Sequence, residues 1–152
     1  MALFNKDDLK KNCALLIDEH SQPVNSSILD YFVNALPKLE RKLVICLIGN
    51  SIYGIAGYLA ISSSDAAVMF VSENISDEGL KNIILNYSPD YLFLESSSNR
   101  ANKENLERIH FGNYCLVELR SHSYRIHEDL SLLLPTSGST GNPKFVRLSK
   151  EN

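Results

Sequence analysis

Two uninterrupted apolar runs, Leu43-Val44-Ile45-Cys46-Leu47-Ile48 and Ala66-Ala67-Val68-Met69-Phe70-Val71, constrain this chain more than any other feature. Neither alternates between apolar and polar residues, as a strand with one wet face would. Short continuous runs of this kind are strands covered by helices on both faces. Each is followed by a helical window, at 52–61 and 76–86, and a third run at 91–95 precedes a window at 102–109 that reads as another helix. A strand then a helix, repeated three times, implies right-handed βαβ crossovers and an α/β fold whose largely parallel sheet is flanked by helices. Upstream lie a polar lead-in over 1–12, a short strand over 13–17, and a helix capped by Ser26 or Ser27. That helix carries Ile28, Leu29, Phe32, Val33 and Leu36 at helical spacing and is limited by Pro37. Downstream come a strand at 114–119 and then strand, loop and strand over 130–149.

With 15 Lys+Arg against 18 Asp+Glu, the net charge of −3 lacks the basic footprint of a nucleic-acid binder. No charge falls between Lys42 and Asp65, a window long enough to span a bilayer. Gly49-Asn50-Ser51 breaks it into a strand and a buried helix, so no membrane span is assigned. The three cysteines, Cys13, Cys46 and Cys115, form no CxxC pair and are odd in number, which fits a reducing compartment. The first eight residues turn acidic without an apolar stretch, unlike a secretory signal, so the expected location is cytoplasmic and the sequons at Asn25, Asn74 and Asn86 imply no glycan.

The chemistry concentrates in Pro135-Thr136-Ser137-Gly138-Ser139-Thr140-Gly141-Asn142-Pro143-Lys144, where hydroxyls, glycines and a lysine leave nothing to build a core. Glycines let backbone N–H groups approach an anion, hydroxyls donate further hydrogen bonds, and the lysine supplies charge, the ingredients of a triphosphate cradle. It is not a Walker A loop: the Gly138, Gly141 and Lys144 spacing differs, and Phe145 follows the lysine where that motif has Ser or Thr. Residues 144–149 look extended, so the loop joins two strands instead of opening a helix. Composition alone leaves a second reading open, a non-catalytic α/β nucleotide-binding or interaction module.

The nine residues from Thr136 to Lys144 resemble the phosphate-binding signature of the AMP-forming adenylating ligases, the superfamily of acyl-CoA synthetases, nonribosomal adenylation domains and luciferases. The order of the strand at 43–48, Gly49-Asn50-Ser51, the helix after it and the strand at 66–71 resembles that family's N-terminal region more weakly. Four departures mark a divergent member: Phe145 and Asp65 stand where glycine is usual, Phe70 where proline is, and Lys150 where histidine is common. The resemblance implies that residues 1–152 are the N-terminal subdomain of the ligase's large N-terminal domain, ending just after the loop. It implies that Thr136, Ser137, Gly138, Ser139, Thr140, Gly141 and Lys144 hold the β- and γ-phosphates of ATP, with Mg²⁺ as the accompanying ion. The parent reaction would join a fatty, aryl or amino acid to ATP as an acyl-adenylate, release pyrophosphate, and pass the acyl group to CoA or a carrier protein. The family's adenine, ribose, magnesium and catalytic-lysine positions lie further downstream, so no catalytic residue is placed within 1–152, which alone are expected to be inactive.

Other chemical residues carry plainer readings. His122 and His127 beside Glu128 and Asp129 lack metal-ligand spacing. Ser51 sits in no G-x-S-x-G elbow and reads as a helix cap. Cys46 and Cys115 read as small core residues, as does Cys13, and His20 and His110 as loop or surface residues. The mixed charges of Asn99 to Arg108 read as the exposed face of a helix.

Overall fold

A computed structural model of the chain describes residues 7, 11, 26–101, 106–119, 126–136 and 144–151. After helical positions at Asp7 and Lys11, the elements run α1 (Ser26–Ala35), β1 (Leu43–Leu47), α2 (Ile52–Ser62), β2 (Ala67–Phe70), α3 (Asp77–Tyr87), β3 (Tyr91–Glu95), β4 (Arg108–Phe111), β5 (Tyr114–Glu118), β6 (Leu130–Pro135) and β7 (Phe145–Ser149). The strands form one sheet in the order β4-β5-β3-β1-β2-β6-β7. Its centre, β3-β1-β2-β6, is parallel, and antiparallel strands flank it on both sides.

The parity of the strands divides the core in two. Val44 and Cys46 of β1, Val68 of β2, Phe93 of β3 and Leu116 of β5 face α1 and α2. Leu43, Ile45 and Leu47 join Met69, Leu92, Leu94, Cys115 and Val117 on the side covered by Leu80 and Ile83 of α3. The helices therefore lie on opposite faces because the chain moves from β1 to β2 in one direction and then crosses back past β1 to β3. A right-handed crossover taken in opposite directions puts its helix on opposite sides. The apolar window at 43–64 is thus a central strand and a helix pressed into the sheet, and among the described residues no helix is long and apolar enough to cross a membrane.

The helix expected at 102–109 is corrected where the structure describes it: Arg108 and Ile109 belong to β4, which pairs antiparallel with β5. Residues 102–105 lie outside the described residues. Charge along 99–108 resembled a helix face, but Gly112-Asn113 closes a two-residue hairpin with Gly112 at φ +59°, and that turn decides the pairing. Ser26 and Ser27 are likewise the first residues of α1 and not its cap. The strand expected at 13–17 lies outside the described residues.

Two close contacts fix the packing. A Cβ on Gly57 of α2 would stand 2.1 Å from Cζ of the buried Phe93, so only glycine lets the helix approach the sheet this closely. At the N-terminal end of the parallel strands the sheet is tied by charge. Asp90 accepts from Lys42 Nζ at 2.8 Å and from the Leu43 N–H at 2.9 Å, bridging β1 and β3. Lys150 Nζ meets Asp65 Oδ1 at 2.7 Å, tying the chain after β7 to the turn before β2. Asp65 holds φ +64°, a left-handed backbone that glycine adopts most readily. Residues 65 and 150, far apart in sequence, therefore contact each other.

Gly57→Ala is expected to lower stability by about 1–3 kcal/mol, because overpacking against Phe93 outweighs the roughly 1 kcal/mol that alanine gains in a helix; a shift in the urea midpoint measures it. The Asp65–Lys150 pair carries a pH signature. Burial pushes the Asp65 carboxyl up, but hydrogen bonding and positive charge, those of Lys150 foremost among them, outweigh it and hold the carboxyl below its ordinary 3.8. A depressed carboxyl contributes stability that is present above its unfolded value and lost as pH falls through the folded one. Lys150→Met should therefore flatten the loss of stability below about pH 4, read as urea midpoints across the acid range.

Candidate functional site

The two ends of the sheet differ in chemistry. At the N-terminal end of the parallel strands the charged groups are paired with one another, as above. The other end, where β1, β2, β3 and β6 finish, gathers Asn50, Ser51, Ser72, Glu73, Asn74, Ser76, Ser96, Ser97, Ser98 and Thr136. Doubly wound sheets hold ligands at this end, where connections leave in opposite directions.

Part of the rim is occupied with building the fold. Ser51 caps α2 by accepting the Gly54 N–H at 3.1 Å, as its sequence suggests, and Ser76 caps α3 through the Gly79 N–H at 3.0 Å. The buried Tyr114 hydroxyl accepts the Gly49 N–H at 3.2 Å and lies 3.3 Å from Ser51 Oγ, so strand β5 fixes the turn after β1. The Glu73 carboxylate lies over Gly49, 3.3 Å from where a Cβ would stand.

Arg100 straps the turn between β2 and α3. Its Nε donates to Asp77 Oδ1 at 2.7 Å, Nη1 to the Glu73 carbonyl at 3.1 Å, and Nη2 to the Ile75 carbonyl. Arg100 belongs to the segment after β3 while the turn follows β2, so the guanidinium joins the connections on either side of the central strand. A planar fork with five N–H groups suits three acceptors at once, which a lysine could not match. By sequence Arg100 belongs to an exposed helix face, and no local pattern pairs it with a turn 25 residues earlier.

The candidate loop springs from the β6–β7 hairpin. The last ladder pair is Pro135 opposite Phe145. Thr136 and Lys144 then close the mouth: the Lys144 carbonyl accepts the Thr136 N–H at 2.8 Å and the Thr136 hydroxyl at 3.1 Å. Both residues are exposed. Ser137, Gly138, Ser139, Thr140 and Gly141 lie outside the described residues, so the structure brings together only the two ends of the predicted cradle. Beside the mouth is a slot of about 290 Å³, with Ser72, Asn74, Ile75 and Gly79 on one wall and Pro135 and Phe145 on the other.

The remaining candidates resolve simply. His127 sits in a turn, accepting the Asp129 N–H at 3.3 Å, and among the described residues no group of His, Cys, Asp and Glu could hold a metal ion. His110 is exposed on the edge strand β4 near Ser96 Oγ, at 3.4 Å. Burial pushes the Cys46 and Cys115 thiols up, so both behave as core residues. His20, His122 and Cys13 lie outside the described residues.

No family model and no curated protein sequence matches the chain. Solved structures do. A point variant of E. coli MenE with bound OSB-AMS shares 15% identity at a TM-score of 0.66, covering 96% of this chain and 34% of that one. The N-terminal subdomain of Klebsiella oxytoca NpsA, in complex with 3-hydroxyanthranilyl-AMSN, shares 19% at 0.58, covering 95% and 39%. Apo MatB from Rhodopseudomonas palustris shares 13% at 0.60, covering 99% and 35%. The fold is thus that of an N-terminal part of the adenylating ligases, and the chain spans about a third of the length of these structures.

Arg100→Ala should free the 73–77 turn, seen as faster amide hydrogen exchange there with β5 unchanged. Asp77→Ala should have a smaller effect, since Asp77 is 85% exposed and a surface ion pair is worth only about 0–1 kcal/mol.

Proposed function

We propose that this chain supplies the phosphate-binding part of an ATP-dependent, AMP-forming carboxylate ligase. The observation that carries this reading is the meeting of two independent features. The nine-residue string from Thr136 to Lys144 has its ends joined as a hairpin mouth. That mouth stands at the C-terminal rim of a sheet with the adenylating-ligase fold.

In the proposed reaction a carboxylate oxygen attacks the α-phosphorus of ATP, the bond to the bridging oxygen of pyrophosphate breaks, and an acyl-adenylate forms. Charge develops on the departing pyrophosphate. Lys144, the Thr136 hydroxyl and the hydroxyls and backbone N–H groups of Ser137, Gly138, Ser139, Thr140 and Gly141 are the donors this chain offers to neutralise it. That donor set suits phosphate oxygens and does not suit a cation. Mg²⁺ therefore belongs with the nucleotide's phosphates, where it would supply further charge neutralisation. The acyl group would then pass to a thiol of CoA or a carrier protein. Residues 1–152 alone should not turn over.

The test is carboxylate-dependent exchange of labelled pyrophosphate into ATP, with protein from the complete reading frame and a panel of fatty, aryl and amino acids. Lys144→Ala should reduce exchange on the order of a hundredfold or more. A folded protein silent with every acid would favour the alternative, a nucleotide-binding or interaction module without catalysis, which ATP binding measured by calorimetry would then reveal.

A further inference from the structure

We propose that Phe145 is a positioning residue, which fixes the exit of the 136–144 segment by anchoring its ring on Tyr87 of α3. The proposal rests on the reading of that segment as the phosphate loop.

Strand β7 needs such an anchor. It is the edge of the sheet beyond β6, and its alternation places apolar residues on both faces: Phe145 on one, Val146 and Leu148 on the other. Val146 remains 48% exposed. With apolar residues on both faces, the sequence pattern of β7 does not by itself say which face is buried, and a one-residue slip would exchange them. What distinguishes one face is Phe145, which packs onto the core beneath α3. Its ring lies 5.3 Å from that of Tyr87 at 75°, an edge-to-face contact.

Tyr87 is 36% exposed, and its backbone is held at the end of α3. The Ser88 N–H donates to the Ile84 carbonyl with Ser88 in the left-handed region, closing the helix. Two residues on, Asp90 is tied to Lys42 and the Leu43 N–H. The ring contact therefore connects the loop's exit, one residue past Lys144, to the most heavily bonded part of the sheet. Because the Lys144 carbonyl holds both Thr136 donors, displacement of Phe145 would open the mouth. A glycine at 145 would have no ring to anchor.

The test is a double-mutant cycle in protein from the complete reading frame, with Phe145→Leu, Tyr87→Leu and both together. One readout is hydrogen exchange at the Thr136 amide, which bonds to the Lys144 carbonyl. The other is the split between KM for ATP and kcat in carboxylate-dependent pyrophosphate exchange. Each single substitution should speed Thr136 exchange by about three- to tenfold, the range expected of one aromatic contact. The double substitution should do little more than either, and amides in β1 to β3 should be unmoved. KM for ATP should rise by a similar factor with kcat nearly constant, and Tyr87→Phe, which keeps the ring, should match the wild type.

Thr136 exchange unchanged in the single variants, or effects that simply add, would overturn the proposal. So would faster exchange throughout β1 to β3, which would make Phe145 a general core residue. Tyr87→Leu leaves the sequence of β7 intact and carries the test if Phe145→Leu fails to fold. Faster Thr136 exchange in a protein without carboxylate-dependent activity would support the anchor and refute the ligase reading. An active ligase with unmoved Thr136 exchange would do the reverse.

Discussion

The central strand β1 can give neither face to water. All five of its residues are buried, with Val44 and Cys46 turned one way and Leu43, Ile45 and Leu47 the other. Covering both faces requires helices on both sides, and short connections supply them only if the chain leaves β1 in one direction and returns past it in the other. Gly57 shows how far this goes: α2 gives up a side chain so that its backbone can reach Phe93. Once the helices are so placed, the connections leaving β1, β2, β3 and β6 emerge together at one end. The rim is a consequence of the burial, and the loop mouth inherits its location from it.

Antiparallel strands finish the sheet on either side, and they do different work. The β4–β5 hairpin brings the Tyr114 hydroxyl to the turn after β1, so a strand at the flank fixes a turn at the centre. The β6–β7 hairpin carries the loop. A β-bulge between Leu130 and Leu132 offsets its register, and Ser131 Oγ donates to the Leu148 carbonyl beside it. Bulges twist a strand pair locally, and this one lies at the opposite end of the hairpin from Thr136 and Lys144.

Much of this was legible in the residues, and the failures have physical causes. The continuous runs in β1 and β2 gave their burial on both faces because such a run has only one economical environment. Ser51 gave the start of α2, since its hydroxyl has a local partner three residues away. The 102–109 window misled because mixed charge satisfies a helix face and an exposed hairpin equally, and the deciding Gly112-Asn113 turn lies outside it. Arg100, Tyr114 and Asp65 were not legible as structural ties, because each depends on a partner distant in sequence that no local pattern announces. The string from Thr136 to Lys144 stands out by composition alone, whereas the contact of Phe145 with Tyr87 comes only from the structure.

The separation of paired charge at one end of the sheet from hydroxyl-rich turns at the other has a consequence for how this chain can change over time. A strand of five or six residues sets the ends about 17–20 Å apart, beyond the distance at which substitutions usually influence one another. Losses of stability from alterations in the rim can therefore be compensated at Asp65 or Lys150, which lie outside the Tyr87–Phe145 contact and at the far end of β7 from the loop mouth. A fold arranged in this way lets residues of the rim change while its robustness is maintained elsewhere.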